Sequence, residues 1–171
     1  MRFSSLLRWV AVLFFASVAF ADTPSRQPKP PNLHLAARAE RGDAPAQFEL
    51  AVSLVESSRF GEAVRWFAQA AAQGHRLAQC NLGAMYEKGL GVPKNLEQAL
   101  YWYRSAADQG DEMAMYNLGN LFATGFGAPR LAAEWFERSA EKGYPAAQVQ
   151  LGMMYWQGQG VERNPALSEP G

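Results

Sequence analysis

The chain has 171 residues, of which 16 are basic and 16 are acidic. This balance argues against nucleic acid as a partner, because phosphate binding needs a surplus of clustered basic side chains. Hydrophobic residues make up 49% of the chain, which is too large a share for an intrinsically disordered protein.

The first 21 residues have the pattern of an export signal. Arg2 and Arg8 give a basic start, an apolar run follows at 9–20, and Ala19-Phe20-Ala21 is a small-x-small cleavage site. The run is about a dozen residues long, whereas a bilayer-spanning helix needs about 20. The sequence therefore predicts cleavage after Ala21, no stable membrane insertion afterwards, and a periplasmic or secreted protein. The alternative is an uncleaved signal that stays as a membrane anchor.

Residues 22–32 are rich in proline and polar side chains, which is typical of an extended linker. A helical-repeat domain is predicted at 33–160, and a flexible tail at 161–171. Cys80 is the only cysteine, so no disulfide can form within the chain. We therefore expect the domain to be stabilised by packing alone.

Several residue columns recur along the domain with shared spacings. Glycines that follow alanine-rich segments stand 32, 36 and 33 residues apart, at Gly42, Gly74, Gly110 and Gly143. An alanine column and a leucine column keep all three steps: Ala46, Ala78, Ala114 and Ala147; Leu50, Leu82, Leu118 and Leu151. An aromatic pair keeps the last two steps: Trp66-Phe67, Trp102-Tyr103 and Trp135-Phe136. Columns that share one set of spacings indicate a repeated structural unit.

Each unit is predicted to form two helices. In the second unit, helix A covers 77–88 and ends at Gly89, and helix B covers 96–109 and ends at Gly110. The glycine just past helix A is expected to adopt the left-handed conformation. The same Gly-x-Gly turn returns at Gly125/Gly127 and Gly158/Gly160. The predicted boundaries are a half-unit at 33–43, repeats at 44–75, 76–111 and 112–144, and a partial repeat at 145–160 that holds a helix A without its partner.

The second unit resembles the Sel-one-like repeat (SLR) family, a relative of the tetratricopeptide repeat. The matching residues are Ala78, Asn81, Leu82, Gly83, Met85, Tyr86, Gly89, Gly91 and Val92, then Ala99, Trp102, Tyr103, Ala106, Ala107, Gln109 and Gly110. The resemblance implies an all-α fold: a right-handed α/α solenoid of about three and a half repeats. It also implies that the A helices line a concave surface that binds proteins or peptides. The family's consensus residues are mainly structural, so the resemblance implies no catalytic residue.

The residues that suggest chemistry have simpler structural interpretations. Trp66, Trp102 and Trp135 could form an aromatic ligand box, but they recur beside alanines and are predicted to pack in the core. Cys80 stands in an apolar column, which favours a buried side chain over a reactive thiol. His34 and His75 lack neighbours at metal-ligand spacing. We expect no metal site and no cofactor.

Positions that vary between units without a packing rule are the predicted partner-binding residues. They are Glu87, Lys88, Asn120, Ala123, Thr124, Met153, Trp156 and Gln157. Trp156 would either anchor a partner or cover the unfinished end of the solenoid. The last helix A has an apolar face at Leu151, Met154 and Tyr155, so self-association through this C-terminal edge is a further expectation.

The function that these features predict is that of an exported, non-enzymatic scaffold. It would bind a protein or peptide, for instance a protein of the cell envelope, on the concave helix-A surface. The alternative is a hydrolase of β-lactams or cell-wall fragments, which is suggested for cysteine-rich relatives in the SLR family. That alternative requires a nucleophile or general base in a cleft, and the sequence offers no recurring candidate.

Overall fold

The computed structural model describes residues 33–161, which form eight α-helices and no β-strand within that range. The helices are α1 Leu33–Glu40, α2 Ala44–Glu56, α3 Phe60–Ala72, α4 Arg76–Lys88, α5 Leu96–Ala107, α6 Glu112–Asn120, α7 Pro129–Glu141 and α8 Pro145–Gln157. A π-helical turn, Leu121–Gly125, extends α6. The all-α prediction is confirmed. The predicted signal peptide, the linker, and residues 162–171 of the predicted tail lie outside the described residues.

The helices form antiparallel A/B pairs along the chain: α2 with α3, α4 with α5, and α6 with α7. Helix α1 stands where a helix B would end, and α8 is a helix A. Each helix packs principally on the helices before and after it. The buried side chains form two clusters, one from Ala39 to Met85 and one from Cys80 to Met154, and α4 contributes to both. Each cluster is built from contacts between sequence neighbours.

Caps define the helix ends. The side chains of Asp43, His75 and Asp111 each accept a hydrogen bond from the backbone N–H three residues later, at the start of α2, α4 and α6. Gly89 (φ 70°) and Gly158 (φ 67°) end α4 and α8 in the left-handed conformation, as the Gly-x-Gly pattern predicts.

The third unit ends its helix A differently, and the prediction that Gly125 is a left-handed turn is wrong. Gly125 lies inside the π-helical turn, and the positive φ (61°) falls at Gly127. The Phe126 N–H donates to the Leu121 carbonyl over 3.1 Å, which closes the wider turn. This turn leads almost directly into α7, because the third unit has three residues fewer than the second before its helix B.

The two rings of the aromatic pair on each helix B are buried to different extents. This corrects the prediction that the tryptophans pack in the core. Trp66, Trp102 and Trp135 are only partly buried and pack against the edge of the core. The second ring of each pair is the buried one. The Tyr103 ring lies over Gly83, where a Cβ atom would come within 2.7 Å of it, and the Phe136 ring lies over Gly119 in the same way. The glycines on helix A are thus sockets for the rings of helix B.

Loops dock onto the preceding unit. Gly91 has φ +74°, and a Cβ there would stand 2.4 Å from the carbonyl carbon of Phe60, at the start of α3. Gly160 has the same relation to Pro129, at the start of α7. The second glycine of the Gly-x-Gly turn therefore allows backbone to approach backbone between neighbouring units.

His75 makes the stability of this fold depend on pH. Its Nδ1 accepts the Ala78 N–H (3.2 Å), and its ring stacks on Phe48 with 4.7 Å between centroids. Burial lowers the pKa of His75 below the usual 6.5. The stabilisation from neutral His75 is therefore complete above pH 6.5 and is lost as pH falls through the lower folded-state pKa. The denaturation midpoint should therefore be lower at pH 5.5 than at pH 7.5.

The matched variant for this prediction is His75→Asn, which keeps a side-chain acceptor at the cap but does not titrate. Its midpoint should be lower overall, because the stack on Phe48 is lost. The drop between pH 7.5 and pH 5.5 should shrink relative to the parent chain. An equal drop in both proteins would show that other groups cause the pH dependence.

Candidate functional site

The A helices present one regularly spaced polar face, which we call the A-face. It consists of two residues per helix at i, i+7 spacing: Glu49 and Glu56, Asn81 and Lys88, Asn117 and Thr124, and Gln150 and Gln157. A spacing of seven residues is about two turns, so both members of a pair lie on the same side of a regular helix. The third unit departs from this rule, because Thr124 lies in the π-helical turn that extends α6. The second member is exposed in every unit, and the first is exposed or partly buried.

The asparagines of the A-face are held in place by hydrogen bonds. Asn81 donates from Nδ2 to the Leu77 carbonyl over 2.7 Å. Asn117 donates from Nδ2 to the Sγ atom of Cys80 on the preceding helix A, over 3.7 Å. Held amides of this kind present donors and acceptors in a fixed orientation, and these match the backbone of another chain. The repeat pattern of the sequence does not single out this column, although it lies seven residues before Lys88, Thr124 and Gln157.

Of the eight predicted binding residues, three lie on the A-face. Lys88, Thr124 and Gln157 lie on the A-face, with Thr124 donating from Oγ1 to the Asn120 carbonyl over 2.9 Å. Asn120 itself is partly buried. The remaining four, Glu87, Ala123, Met153 and Trp156, lie elsewhere, and Ala123 is exposed in the π-helical turn.

Glu87 takes part in the contact between the two helices of its own unit. Its Oε2 atom accepts a hydrogen bond of 2.7 Å from the Tyr103 hydroxyl. Burial, together with the Glu87 carboxylate, raises the pKa of Tyr103 well above its usual value, so the hydroxyl stays protonated and donates. Glu87 therefore has a structural partner next to the Gly83 socket.

Met153 and Trp156 lie on the outer side of α8, which we call the end face. It comprises Val149, Gly152, Met153 and Trp156 and is flanked by Gln148 and Gln157. Val149 is 62% exposed, Met153 42% and Trp156 56%. The residues that correspond to Val149 and Met153 in the first three units are buried or partly buried: Phe48, Cys80 and Tyr116; Val52, Ala84 and Asn120. The end face thus repeats core positions that no described element covers.

Cys80 cannot act as a nucleophile in the folded state. The side chain is 1% exposed, and burial, with the Asp111 carboxylate nearby, raises its thiol pKa well above the usual value. The thiol is therefore protonated and closed to substrates. Residues 33–161 contain no group of three or more His, Cys, Asp or Glu side chains that could hold a metal ion.

An open cavity of about 500 Å³ lies where α7 begins and α8 ends. Its lining is Ala128, Pro129, Arg130, Leu131, Gly158, Gly160 and Val161. Arg130 is the one ionisable side chain among these, so the cavity contains no carboxylate, imidazole or thiol for general base or nucleophilic catalysis. The hydrolase alternative gains no supporting site in this part of the chain.

Thiol labelling tests the placement of Cys80. A thiol reagent should leave the folded chain unmodified over hours and label one thiol per chain after denaturation. Val149→Cys is the matched control, because Val149 occupies the same column on α8 but is exposed. This variant should label within minutes at one site while folded, at protein concentrations low enough to keep the chain monomeric. Rapid labelling of the parent chain would contradict the burial of Cys80.

No helix within residues 33–161 is long and apolar enough to cross a membrane.

Comparisons with known proteins agree with the repeat architecture. The family model for the Sel1 repeat matches four segments, at 44–75, 76–111, 112–144 and 145–168. The crystal structure of c5321, a protective antigen of uropathogenic Escherichia coli strains with an SLR fold, is similar with a TM-score of 0.74, 35% identity and coverage of 78% of this chain. A Sel1 repeat protein from Oxalobacter formigenes has a TM-score of 0.67, 34% identity and coverage of 77%.

The matched regions span 30% of the Escherichia coli protein and 55% of the Oxalobacter protein. Comparison with curated protein sequences finds no significant match.

Proposed function

Because this chain belongs to the Sel1 repeat family, whose members generally mediate protein–protein interaction, we propose that it is an exported scaffold that binds a segment of another protein along the A-face. The regular polar face on four successive A helices is the observation that carries this proposal. Its first members, Glu49, Asn81, Asn117 and Gln150, recur at the repeat spacing. An extended segment can therefore meet one contact per repeat.

The chemistry of the A-face indicates what kind of segment it fits. The asparagine amides suit the N–H and C=O groups of an extended backbone. Glu49 and Glu56 make the α2 end acidic, whereas α8 contributes only the uncharged Gln150 and Gln157. A segment with basic side chains near the α2 end would gain favourable electrostatic interactions and faster association.

Export is part of the proposal and is supported by the basic, apolar and small-x-small pattern of residues 1–21. The partner would then be a periplasmic, secreted or cell-envelope protein. N-terminal sequencing of the chain recovered from outside the cytoplasm tests this part directly. A start at Asp22 is expected, and a start at Met1 would support the anchored alternative.

Site-specific photo-crosslinking tests the binding face and identifies the partner in one experiment. A photoreactive residue at Thr124, exposed on the A-face, should crosslink a defined protein in intact cells. The same residue at Glu134, exposed on α7, is the matched control and should crosslink much less of it. Preferential capture through Glu134 would place the partner on the B helices and contradict the proposal.

Affinity measurements on the captured partner then test the A-face residues. Asn117→Arg should weaken binding about tenfold or more, because it replaces a held amide by a long charged side chain. Glu134→Arg should change the dissociation constant less than about twofold. Equal effects of the two variants would indicate that general charge, and not the A-face, determines binding.

A further inference from the structure

Helix α8 differs from the other described helices in having no charged side chain. Its sequence, Pro145–Gln157, contains no Asp, Glu, Lys, Arg or His, whereas each of α1 to α7 contains at least one of these. A surface helix normally carries charges on its outer side. An uncharged helix with large apolar side chains at 42–62% exposure is the pattern of a surface that is covered in the assembled protein.

The end face is complementary to itself under two-fold symmetry. If a second α8 lies antiparallel, with the two-fold axis passing between positions 152 and 153, Met153 stands opposite Gly152 of the other copy. Trp156 then stands opposite Val149. Every pairing occurs twice, as a closed two-fold interface requires.

Each of these pairings is physically favourable. Gly152 occupies the same column as Gly83 and Gly119, which receive the rings of Tyr103 and Phe136 within the chain. A methionine side chain is flexible enough to fill such a socket. The indole of Trp156 would cover the exposed Val149 side chain and remove apolar surface of both residues from water.

We propose that two copies of this chain associate through their end faces, with α8 antiparallel to α8. A second copy fits better than a charged partner, because the pairing brings no like charges together and strips water from no ionised group. The contact does not depend on A-face binding, and a two-fold interface leaves the A-faces of both copies with their own residues on α2, α4 and α6.

Sedimentation velocity of the purified chain over a range of concentrations provides the first test. The parent chain should shift from monomer to dimer as concentration rises. Trp156→Glu, which puts a charge at the centre of the contact, should weaken association at least about tenfold. Tyr101→Glu is the matched control, since Tyr101 is 58% exposed on α5, away from α8, and it should leave the association unchanged. Circular dichroism verifies that each variant is folded.

Cysteine crosslinking tests the register. An equimolar mixture of Val149→Cys and Trp156→Cys chains should form a mixed crosslinked dimer with a short bifunctional thiol reagent. Val149→Cys alone should not, because the two copies of position 149 are about 10 Å apart along the helix axis. The buried Cys80 does not compete for the reagent. Efficient crosslinking of Val149→Cys with itself would indicate a different pairing and overturn the proposed geometry.

Two other results would overturn the proposal. One is a chain that remains monomeric at millimolar concentration. The end face would then be covered in one of two ways: first by a heterologous partner, or second by the chain's own residues 162–171. Protection of Met153 and Trp156 from oxidation in that monomer would identify the second case. The other is a dimer that persists unchanged in both Trp156→Glu and Val149→Glu, which would place the interface elsewhere.

Discussion

Replacing Tyr103 by alanine should lower the free energy of unfolding by about 3–5 kcal/mol. Tyr103 is 1% exposed, and its ring fills the socket at Gly83, which has no side chain to move into the vacated space. The change also removes the donor to Glu87. Urea denaturation followed by circular dichroism measures the effect, provided that the slope of the transition is the same in both proteins.

Two neighbouring variants separate the causes. Tyr103→Phe keeps the ring over Gly83 but loses the hydrogen bond to Glu87, so a loss of about 1–2 kcal/mol is expected. Trp102→Ala removes a larger side chain that is only partly buried and should cost less than Tyr103→Ala. If Trp102→Ala proves the more damaging, the tryptophan and not the second ring of the pair forms the core.

Replacing Gly91 by alanine should destabilise the junction between the first and second units by about 3–5 kcal/mol. The positive φ of 74° alone costs an alanine about 1–2 kcal/mol. The new Cβ would also stand 2.4 Å from the Phe60 carbonyl carbon, which is backbone and cannot rotate away. The loop must therefore leave its docking position, and this adds a cost of the size found for overpacked interiors.

Gly110→Ala is the control for the conformational part of this effect. Gly110 has φ +83°, but a Cβ there meets nothing within 4 Å. Its substitution should cost about 1–2 kcal/mol, well below that of Gly91. Denaturation of the two variants side by side gives the difference. Similar costs would show that close backbone approach between the units contributes little to stability.

The repeated unit was predictable because several independent residue columns share the same set of spacings. Helix α5 starts at Leu96 as predicted, and α4 ends at Lys88 as predicted. These boundaries depend on glycine and cap residues whose effects are local. Local chemistry of this kind can be read from a single sequence.

Features that depend on how one helix meets another were harder to predict. The aromatic pair contains two large rings, and only the direction of helix B relative to Gly83 decides that Tyr103 and not Trp102 is buried. The π-helical turn at Leu121–Gly125 has the glycines of an ordinary turn, but the shortened path to α7 changes their geometry. Tertiary constraint, and not residue preference, determines both features.

The candidate site also has some features that follow from the sequence of one helix and others that depend on how two helices meet. Exposure of Lys88, Thr124 and Gln157 follows from their spacing on amphipathic helices. The involvement of Glu87 with Tyr103 does not, since the two residues lie on different helices. The asparagine column of the A-face was missed because Asn81 belongs to the repeat motif and was interpreted as structural.

The packing of each helix on its chain neighbours has a consequence for how damage spreads in this molecule. A weakened junction, such as that at Gly91, leaves the contacts between α6, α7 and α8 intact. One part of the repeat domain can therefore open while the remainder stays ordered. Amide hydrogens in α4 to α6 should exchange most slowly, and those near either extremity fastest. A long ligand bound across all the repeats would couple these segments, so that they would open and close together.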